Sequence, residues 1–400
     1  MMSRKVLYFS ASIGLGHVVR DLAIARELRR RNPDLEFTWV AAHPATVFLR
    51  EAGETLHPRT GQFASDSGAA ESAATKEHRL DLLRYCVKVS GAWWQNVKAF
   101  KAITARERYD LIVADEAYEV SLALRWGLLE LGAPFAMIYD FFGYFAMSRH
   151  PMDLFLQRFW NHHWVALRRL YDGKDRVALF VGEPEDVPDR SLGHFLPNCR
   201  ELAEEVCRFL GYIVPFDPDD YADREELRAR LGYGDHPLVI CSIGGSAVGK
   251  ALLELCARAY PLIRERMPDL HMVLVCGPRL RTGEVAAPPG VEVRGYVPDL
   301  HEHLAACDLA IVQGGGATTL ELTALRRPFL FFPLEGHFEQ RIHVAGRVAR
   351  HGAGVQLSYS TTTPESLAEA VLANVGKGVP LSPIPLDGAS RAAEILTGLV

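Results

Sequence analysis

Three glycine-rich turns, each between a strand pattern and a helix pattern, are the segments best suited to bind a phosphate group. They begin at Gly14, Gly244 and Gly314. Free backbone amides and the helix dipole at such a turn attract anions. The first turn has Val19 where the dinucleotide fingerprint needs its third glycine, and the second has Ala251 where a P-loop needs a magnesium-binding Ser or Thr. A dehydrogenase and an ATPase are therefore both disfavoured.

The third turn carries the most chemistry. Its three glycines are followed by Ala317, Thr318 and a helix pattern. The backbone amides together with Thr318 can bind a diphosphate. Glu321, one helical turn further on, can accept hydrogen bonds from the vicinal hydroxyls of a ribose. The alternative is a turn that is rich in glycine only for close packing, with Glu321 in solvent.

The elements that must position these turns alternate between strand and helix along the chain. Strand patterns occur at residues 5–10, 36–42, 110–114 and 133–139, and again at 238–243, 272–276, 291–294, 309–312, 329–332 and 354–357. Strands that alternate with helices form parallel sheets covered on both faces. The sequence therefore predicts the α/β class, with two Rossmann-like, doubly wound parallel-sheet domains.

The acidic and proline-rich composition between Gly182 and His236 predicts a boundary between the two domains. A chain of 400 residues is also too long for one ordinary core. We predict an N-terminal domain at residues 1–182, an interdomain linker at 183–235, a C-terminal domain at 236–376 and a tail helix within 377–400.

Charge and hydropathy narrow the range of partners. The formal net charge is -5, so the chain has no field that would gather a polyanion, and nucleic acid is excluded as the first choice of partner. No run of about 18 apolar residues predicts a membrane span, and the first residues lack a secretory pattern. We therefore expect a cytoplasmic protein. Its seven cysteines form no CxxC pair and are expected to be buried, reduced thiols.

Residues 312–345, VQGGGATTLELTALRRPFLFFPLEGHFEQRIHVA, resemble the donor-binding stretch of GT-B glycosyltransferases. The resemblance is to the lipid II-forming N-acetylglucosaminyltransferases of bacterial cell-wall synthesis and to the macrolide and plant natural-product glycosyltransferases. It implies the GT-B fold, in which two Rossmann-like domains face a cleft. The C-terminal domain would then bind a UDP- or dTDP-sugar, and the N-terminal domain would bind the acceptor.

The resemblance assigns roles to individual residues. In these families a glutamate seven residues before a proline binds the donor ribose, and Glu321 stands seven before Pro328. The hydroxyl three residues before that glutamate binds phosphate, which corresponds to Thr318. An acidic or polar residue and a glutamine after the next strand hold the sugar hydroxyls, which correspond to Glu339 and Gln340. Further donor contacts are implied for Gly16, Gly244, Gly245, Ser246, Tyr296, Val297, Gln313, Gly315, Gly316, Ala317 and His337.

Three of these sites have particular features. The segment that begins at Gly295 resembles the stretch along the nucleobase, with Val297 offering backbone hydrogen bonds and Tyr296 covering the ring. The plant-type motif carries a phosphate-binding histidine where this chain has Gln313. His337 precedes the sugar-binding pair and could touch either donor or acceptor.

The same resemblance implies the catalytic residues of the N-terminal domain. His17 stands where many GT-B enzymes carry a histidine after the first glycine loop, and in the natural-product enzymes this histidine is the general base. Asp115 resembles the aspartate that holds it. An imidazole with a pKa near 6.5 can take the proton of an acceptor hydroxyl, and an aspartate on Nδ1 fixes the tautomer. The alternative is a helix-capping histidine beside a solvated aspartate.

The predicted reaction is an inverting, metal-independent sugar transfer to an acceptor hydroxyl. No Asp-x-Asp pair follows a strand, so helix N-termini and hydrogen bonds would stabilise the leaving diphosphate. We expect no cofactor and no metal site. The ligands would be the nucleotide-sugar donor and a small-molecule or lipid-linked acceptor. Peripheral contact with a membrane is left open. Trp93, Trp94 and residues 140–145 could line an apolar acceptor site, or they could be plain core. The alternatives are an enzyme like UDP-N-acetylglucosamine 2-epimerase and a non-catalytic nucleotide-sugar-binding protein.

Overall fold

The structure is a computed structural model that describes residues 3–11, 15–65, 73–75, 79–245, 247–379 and 383–400. The chain divides into two compact units. The first unit comprises Met1–Ala70, Leu82–Pro215 and Pro385–Val400, and the second comprises Glu71–Asp81 and Phe216–Ile384. None of the described helices is long and apolar enough to cross a lipid bilayer.

The first unit is built on a six-stranded parallel sheet. Its strands are β1 (Arg4–Phe9), β2 (Leu35–Val40), β5 (Leu111–Asp115), β6 (Phe135–Tyr139), β7 (Arg176–Phe180) and β8 (Cys207–Phe209), and they lie in the order β2-β1-β5-β6-β7-β8. Its helices are α1 (Leu15–Arg31), α2 (Ala45–Glu51), α3 (Leu82–Thr104), α4 (Tyr118–Arg125), α5 (Pro151–Leu170), α6 (Cys199–Val206) and α13 (Gly388–Thr397). Strands β5 and β6 are apolar over nearly their whole length because helices cover both faces.

The second unit repeats this architecture. Its strands are β9 (Leu238–Ser242), β10 (His271–Val275), β11 (Val291–Arg294), β12 (Leu309–Gln313), β13 (Phe329–Phe332) and β14 (Val355–Gln356), in the order β11-β10-β9-β12-β13-β14. Its helices are α7 (Arg224–Leu231), α8 (Lys250–Arg266), α9 (Leu300–Ala306), α10 (Gly316–Ala324), a π-helical segment (Glu339–Val344), α11 (Ala345–His351) and α12 (Pro364–Asn374). A short antiparallel pair, β3 (Ala74–Thr75) and β4 (Arg79–Leu80), completes the strands described.

Each sheet reverses its strand order beside its first strand. In the first unit β1 lies between β2 and β5, and in the second β9 lies between β10 and β12. The loops after the two central strands diverge to opposite faces at such a point, which leaves a crevice at the carboxyl ends of the strands. The predicted α/β class with two parallel-sheet domains is confirmed, and each sheet offers one position of this kind for a ligand.

The domain boundaries differ from the prediction at both ends of the second unit. Residues 183–215 belong to the first unit, where β8 adds the sixth strand, and only 216–235 of the predicted linker belong to the second unit. The acidic residues that indicated a linker instead cap short helices; Asp223, for example, accepts a hydrogen bond from the backbone N of Glu226, at the start of α7.

The predicted tail helix is likewise part of the first unit. Helix α13 packs against α1, and its side chains Ala392, Ala393 and Leu396 are fully buried in the core of that unit. The polypeptide returns to the first unit because these apolar residues complete its hydrophobic cluster. All seven cysteines are free thiols; six are buried and Cys86 is half-buried.

Candidate active site

The histidine and the aspartate predicted to act together lie side by side in the first unit. His17 is in the first turn of α1, and Asp115 is the last residue of β5. Because β1 and β5 are parallel neighbours, the helix after β1 begins at the edge where β5 ends. Nδ1 of His17 is 2.9 Å from Oδ2 of Asp115, and Nε2 is 4.0 Å from Oε2 of Glu116. The ring therefore has one nitrogen held by a carboxylate.

A buried arginine joins the carboxylates around this ring. Arg20 lies one helical turn after His17, and its Nη2 is 2.6 Å from Oδ1 of Asp115. Its Nη1 donates to Oδ2 of Asp140, which follows β6, at 3.0 Å. Nη2 of Arg20 is also 2.7 Å from Nδ1 of His17. The histidine is therefore part of a charged network that draws residues from α1, from β5 and from the turn after β6.

These charges set the proton affinity of His17. Burial lowers the pKa of the ring, and the charge of Arg20 lowers it too, but Asp115 raises it through its charge and its hydrogen bond. The outcome is a pKa above the ordinary value near 6.5. Burial would raise the pKa of Asp140, but the charges of Arg20 and His17 and the hydrogen bonds with Glu116 and Arg20 together outweigh burial, so this pKa lies well below its usual range and the carboxylate stays ionised.

Helix α1 is anchored by a buried aspartate one turn after His17. The hydroxyl of Tyr8 donates to Oδ1 of Asp21 at 2.9 Å, and that of Ser10 donates to Oδ2 at 2.5 Å. Burial, with the nearby charge of Asp115, raises the pKa of Asp21 well above its usual range. Since both hydroxyls belong to β1 and its following turn, these bonds fix the rotation of the helix that carries His17.

The residue after β5 has a strained backbone. Glu116 has φ at 47°, in the left-handed region that is uncommon outside glycine. Its Oε1 accepts a hydrogen bond from the Tyr118 hydroxyl at 2.8 Å and one from the backbone N of Asp140 at 3.3 Å. Strain of this kind persists where surrounding contacts enforce it, and it is frequent at functional sites.

The same carboxylates raise the possibility of a cation site. One ligand atom from each of His17, Glu116 and Asp140 lies within 4.8 Å of the others. These nitrogen and oxygen donors are chemically suited to a divalent cation. Arg20 already pairs with Asp140, however, and its fixed positive charge opposes a second cation at that carboxylate. Arg20 thus compensates part of the negative charge that would otherwise attract a cation here.

The predicted donor residues of the second unit gather at the carboxyl edge of its sheet. Gly244 and Gly245 follow β9, while Gln313 ends β12 and leads into the next glycine turn. Gly277 follows β10, and a Cβ added to it would overlap the carbonyl oxygen of Gly244. The backbone N of Gly277 also donates to the carbonyl of Gly295, after β11, at 3.2 Å. Successive loops along this edge therefore pack against one another.

Gln313 lies between two of these loops. Its side chain is 8% exposed, and its Oε1 has no hydrogen-bond partner among the described residues. A Cβ added to Gly249 would lie 2.6 Å from this oxygen, so the turn after β9 can approach the amide only because residue 249 is glycine. A buried polar atom without a hydrogen-bond partner lowers the stability of the fold, which makes Gln313 a candidate for binding a ligand.

Helix α10 presents its N-terminus to the same crevice. The N-cap residue Gly315 offers no capping side chain, so the first backbone amides of the helix keep their capacity to bind an anion. Thr318 lies half-buried in the first turn. Behind this turn, the buried Arg347 donates from Nη2 to the carbonyl of Gly316 at 2.6 Å and lies 3.4 Å from Oγ1 of Thr319. The glycine turn is thus held from its inner side.

Glu321 lies one helical turn beyond Thr318. Burial raises the pKa of its carboxyl group to about 7. In the described parts of the chain no donor is hydrogen-bonded to this carboxylate. A half-buried acceptor of this kind is suited to the hydroxyls of a ribose.

The loop after β13 holds the residues predicted to contact the sugar. His337 and Glu339 lie close together, with His337 Nε2 4.0 Å from Glu339 Oε2, and burial lowers the pKa of His337 to about 4. Gln340 uses its Oε1 to accept a hydrogen bond from the backbone N of Leu334 at 2.8 Å. The amide NH₂ of Gln340 makes no hydrogen bond among the described residues, so Gln340 can donate to a ligand. The π-helical turn that starts at Glu339 is a form often found at functional sites.

Two other residues predicted to contact the donor lie in the loop that follows β11, at the carboxyl edge of the sheet in the second unit. Tyr296 and Val297 are in the loop between β11 and α9, where the Tyr296 ring is 44% exposed and Val297 packs on the core. Gly16 lies in the first turn of α1, in the first unit. Ser246 and the glycine-turn residues 12–14 fall outside the described residues.

Four members of the site were not assigned to it from the sequence. They are Arg20, Glu116, Asp140 and Arg347, of which Asp140 was named only within the possible acceptor-lining stretch 140–145. Two of them had a detectable signal, because Arg20 is three residues after His17 on a helix and Asp140 directly follows an apolar strand. The sequence offered no comparable signal for Arg347, which is distant from the glycine turn along the chain.

Comparison with known proteins identifies the family. Residues 239–379 match the glycosyltransferase family 28 C-terminal domain. The UDP-N-acetylglucosamine–N-acetylmuramyl-(pentapeptide) pyrophosphoryl-undecaprenol N-acetylglucosamine transferase of Streptomyces collinus is 30% identical over 399 residues, which cover 96% of this chain and 95% of that protein. The chain belongs to glycosyltransferase family 28. A second relative, an uncharacterized glycosyltransferase of Methanosarcina acetivorans, is 26% identical over 378 residues, covering 92% of this chain and 89% of that protein.

Solved structures agree with the family 28 assignment at the level of the fold. The glycosyltransferase of kitacinnamycin aligns with a TM-score of 0.58 and 19% identity, covering 100% of this chain and 94% of that one. The calicheamicin glycosyltransferase CalG4 aligns with a TM-score of 0.56 and 20% identity over the same shares. The predicted GT-B fold and the predicted enzyme class, a glycosyltransferase, are confirmed.

Proposed function

We propose that this family 28 glycosyltransferase moves a sugar from a UDP- or dTDP-sugar to an acceptor hydroxyl, with inversion and with His17 as the general base. The observation that carries the proposal is the contact between Nδ1 of His17 and Asp115. A ring that donates Nδ1–H to a carboxylate has Nε2 free to accept a proton. The acceptor oxygen loses its proton to Nε2 as it attacks the anomeric carbon, and the nucleoside diphosphate leaves from the opposite face.

The nature of the donor is supported by both kinds of relative. The name of the Streptomyces collinus transferase gives UDP-N-acetylglucosamine as its donor, and a spinosyn rhamnosyltransferase has been solved with thymidine diphosphate. In this chain the N-terminus of α10, with Thr318 beside it, would bind the diphosphate, and Glu321 would bind the ribose.

The proposed reaction needs no metal ion. The charge of the leaving diphosphate would be stabilised by backbone amides at the start of α10 and by the NH₂ group of Gln313. Fixed donors of this kind are already oriented before the reaction, so they lose little energy to rearrangement as charge develops.

An aromatic surface in the first unit supports an acceptor with an apolar body. The rings of Tyr118 and Trp160 are 6.2 Å apart, and those of Trp160 and Trp93 are 5.6 Å apart. Trp94 and Phe155 are mostly exposed nearby on α3 and α5. The relatives' names include a pyrophosphoryl-undecaprenol acceptor and a spinosyn aglycone. We infer that the acceptor hydroxyl belongs to a molecule of this apolar kind.

Calorimetric titration tests the donor. We expect UDP or dTDP to bind in the presence of EDTA, and we expect the affinity to fall about tenfold or more in Glu321→Ala, because a hydrogen bond to a charged group is lost. Glu369→Ala, on the exposed face of α12, is the matched control and should bind like the wild type. Selective binding of ADP or NAD would overturn the proposal.

The general base is tested by His17→Ala. Release of UDP or dTDP from the nucleotide sugar should fall about 100-fold or more, with unchanged affinity for the nucleotide. His162→Ala, at an exposed histidine of the same unit, should retain activity. A product whose anomeric configuration is retained, seen by NMR, would contradict the inverting mechanism.

A further inference from the structure

Arg20 is buried among acidic groups directly beside His17. Arg20 is 8% exposed, and its two terminal nitrogens donate hydrogen bonds to Asp115 at 2.6 Å and to Asp140 at 3.0 Å. Helical spacing of three residues places it on the same face of α1 as His17. A buried guanidinium is always charged, so this site carries a fixed positive charge next to a titratable ring.

Two groups compete for one nitrogen of His17. Asp115 Oδ2 lies 2.9 Å from Nδ1, and Arg20 Nη2 lies 2.7 Å from the same atom. The carboxylate can bond only to an Nδ1 that carries a hydrogen, whereas the guanidinium can bond only to its lone pair. Asp115 therefore favours the tautomer whose Nε2 can accept a proton, and Arg20 favours the tautomer whose Nε2 already carries one.

We propose that Arg20 is a positioning residue that limits how far Asp115 favours the imidazolium form of His17, and thereby sets the pH above which His17 can accept the acceptor's proton. The inference rests on the proposed role of His17. During transfer the proton passes from the acceptor hydroxyl to Nε2, the new C–O bond forms as the bond to the diphosphate breaks, and the imidazolium afterwards returns its proton to solvent.

The charges that face the ring give the direction of the effect. Three carboxylates surround it, two from the end of β5 and its turn and one after β6: Asp115, Glu116 and Asp140. Arg20 is a cation beside the ring, and Asp21 lies on the same helix behind it. Removing the guanidinium leaves the ring facing three negative charges, which stabilise the imidazolium. A base that binds its proton more tightly requires a higher pH to work.

The test measures the ring itself and the reaction separately. The pKa of His17 in the ligand-free protein is followed by NMR of isotopically labelled histidine, with the signal assigned by its loss in His17→Asn. In Arg20→Gln we expect this pKa to rise by about one unit or more. The acidic limb of the pH profile of nucleotide-sugar turnover should move by the same amount. Arg20→Lys keeps the charge and should show less than half of the shift.

Asp140→Asn gives a second variant in case Arg20→Gln does not fold. It removes one carboxylate and frees the guanidinium for the ring, so the pKa of His17 should fall. A pKa of His17 that stays unchanged in folded variants would overturn the inference about Arg20 alone. A pKa that moves while the turnover profile stays fixed would instead contradict the role of His17 as base, and with it the proposed function.

Discussion

For single residues, the cause of the pKa shift differs between the two units: neighbouring charges act together with burial on His17, whereas burial acts alone on His337 and Glu321. His17 gains a carboxylate partner, which raises its pKa, whereas burial alone lowers that of His337 to about 4 and raises that of Glu321 to about 7. His337 is therefore neutral near pH 7 and can serve only as a neutral hydrogen-bonding group. Glu321 changes charge in the range where enzymes are usually assayed.

Glu321→Gln should separate stability from binding. An unfolded glutamate has a pKa near 4.3, so the raised folded value means that the folded state binds the proton more tightly. Its contribution to stability therefore falls as pH rises from about 4 to about 7. Thermal unfolding of the ligand-free variant at pH 8 should occur at a higher temperature than that of the wild type, while UDP binds more weakly.

The wild type supplies the complementary measurement. Because the ionised carboxylate is the better acceptor for ribose hydroxyls, UDP affinity should increase between pH 6 and pH 8, and this increase should disappear in Glu321→Gln. An equally strong pH dependence in the variant would show that Glu321 does not cause it.

At the scale of elements, helix α1 and the loops after β9 and β10 are held by contacts unlike ordinary core packing. Asp21 ties α1 to β1 through two hydroxyls, which leaves His17 little freedom to rotate. In the second unit, Gly277 has φ at 74° and packs against Gly244 so closely that no side chain fits between them. Both sets of contacts restrict the movement of backbone segments that carry the residues proposed to contact ligands.

Gly277→Ala should weaken donor binding without unfolding the protein. A Cβ at this position overlaps the carbonyl of Gly244. The left-handed backbone conformation costs an alanine a further amount of about 1–2 kcal/mol. The loop after β9 must shift, so UDP affinity measured by calorimetry should fall about tenfold or more. Gly283→Ala is the control, because its Cβ meets nothing within 4 Å. Equal affinities for the two variants would rule out a role for the Gly244 loop.

At the scale of the whole molecule, the chain leaves the first unit near Pro215 and re-enters it near Pro385. The final helix, α13, supplies Leu396, which is fully buried beside α1. The stability of the unit that carries His17 therefore depends on residues almost 380 positions away in sequence. The residues proposed to bind the donor lie in the second unit, whose hydrophobic clusters among the described residues include no residue of α13.

Leu396→Ala should destabilise the first unit selectively. Removing a fully buried leucine side chain costs about 2–5 kcal/mol, so calorimetric melting should show an earlier transition for this unit. UDP binding below that transition should be unchanged. Glu394→Ala, on the exposed face of the same helix, should melt like the wild type. A parallel loss of UDP affinity would contradict the assignment of the donor site to the second unit.

Local patterns along the chain were sufficient to predict the fold class and the positions of the glycine turns. Strand–helix alternation predicted the two parallel sheets, and the resemblance of residues 312–345 to the donor-binding stretch of GT-B glycosyltransferases implied the GT-B fold and the enzyme class. The sequence also predicted that His17 and Asp115 belong together, through resemblance and not through any local rule. The roles of these residues remain predictions.

The domain boundaries and the charge network depend on contacts between residues that are distant along the chain, so they were found in the tertiary structure. β8 and α13 join the first unit because a sheet and a core need them, and composition carries no record of that requirement. Arg20, Asp115 and Asp140 lie on three separate elements, and they meet because neighbouring parallel strands end at one edge of a sheet. The proton affinity of His17 depends on burial and on these distances, which the order of residues along the chain does not contain.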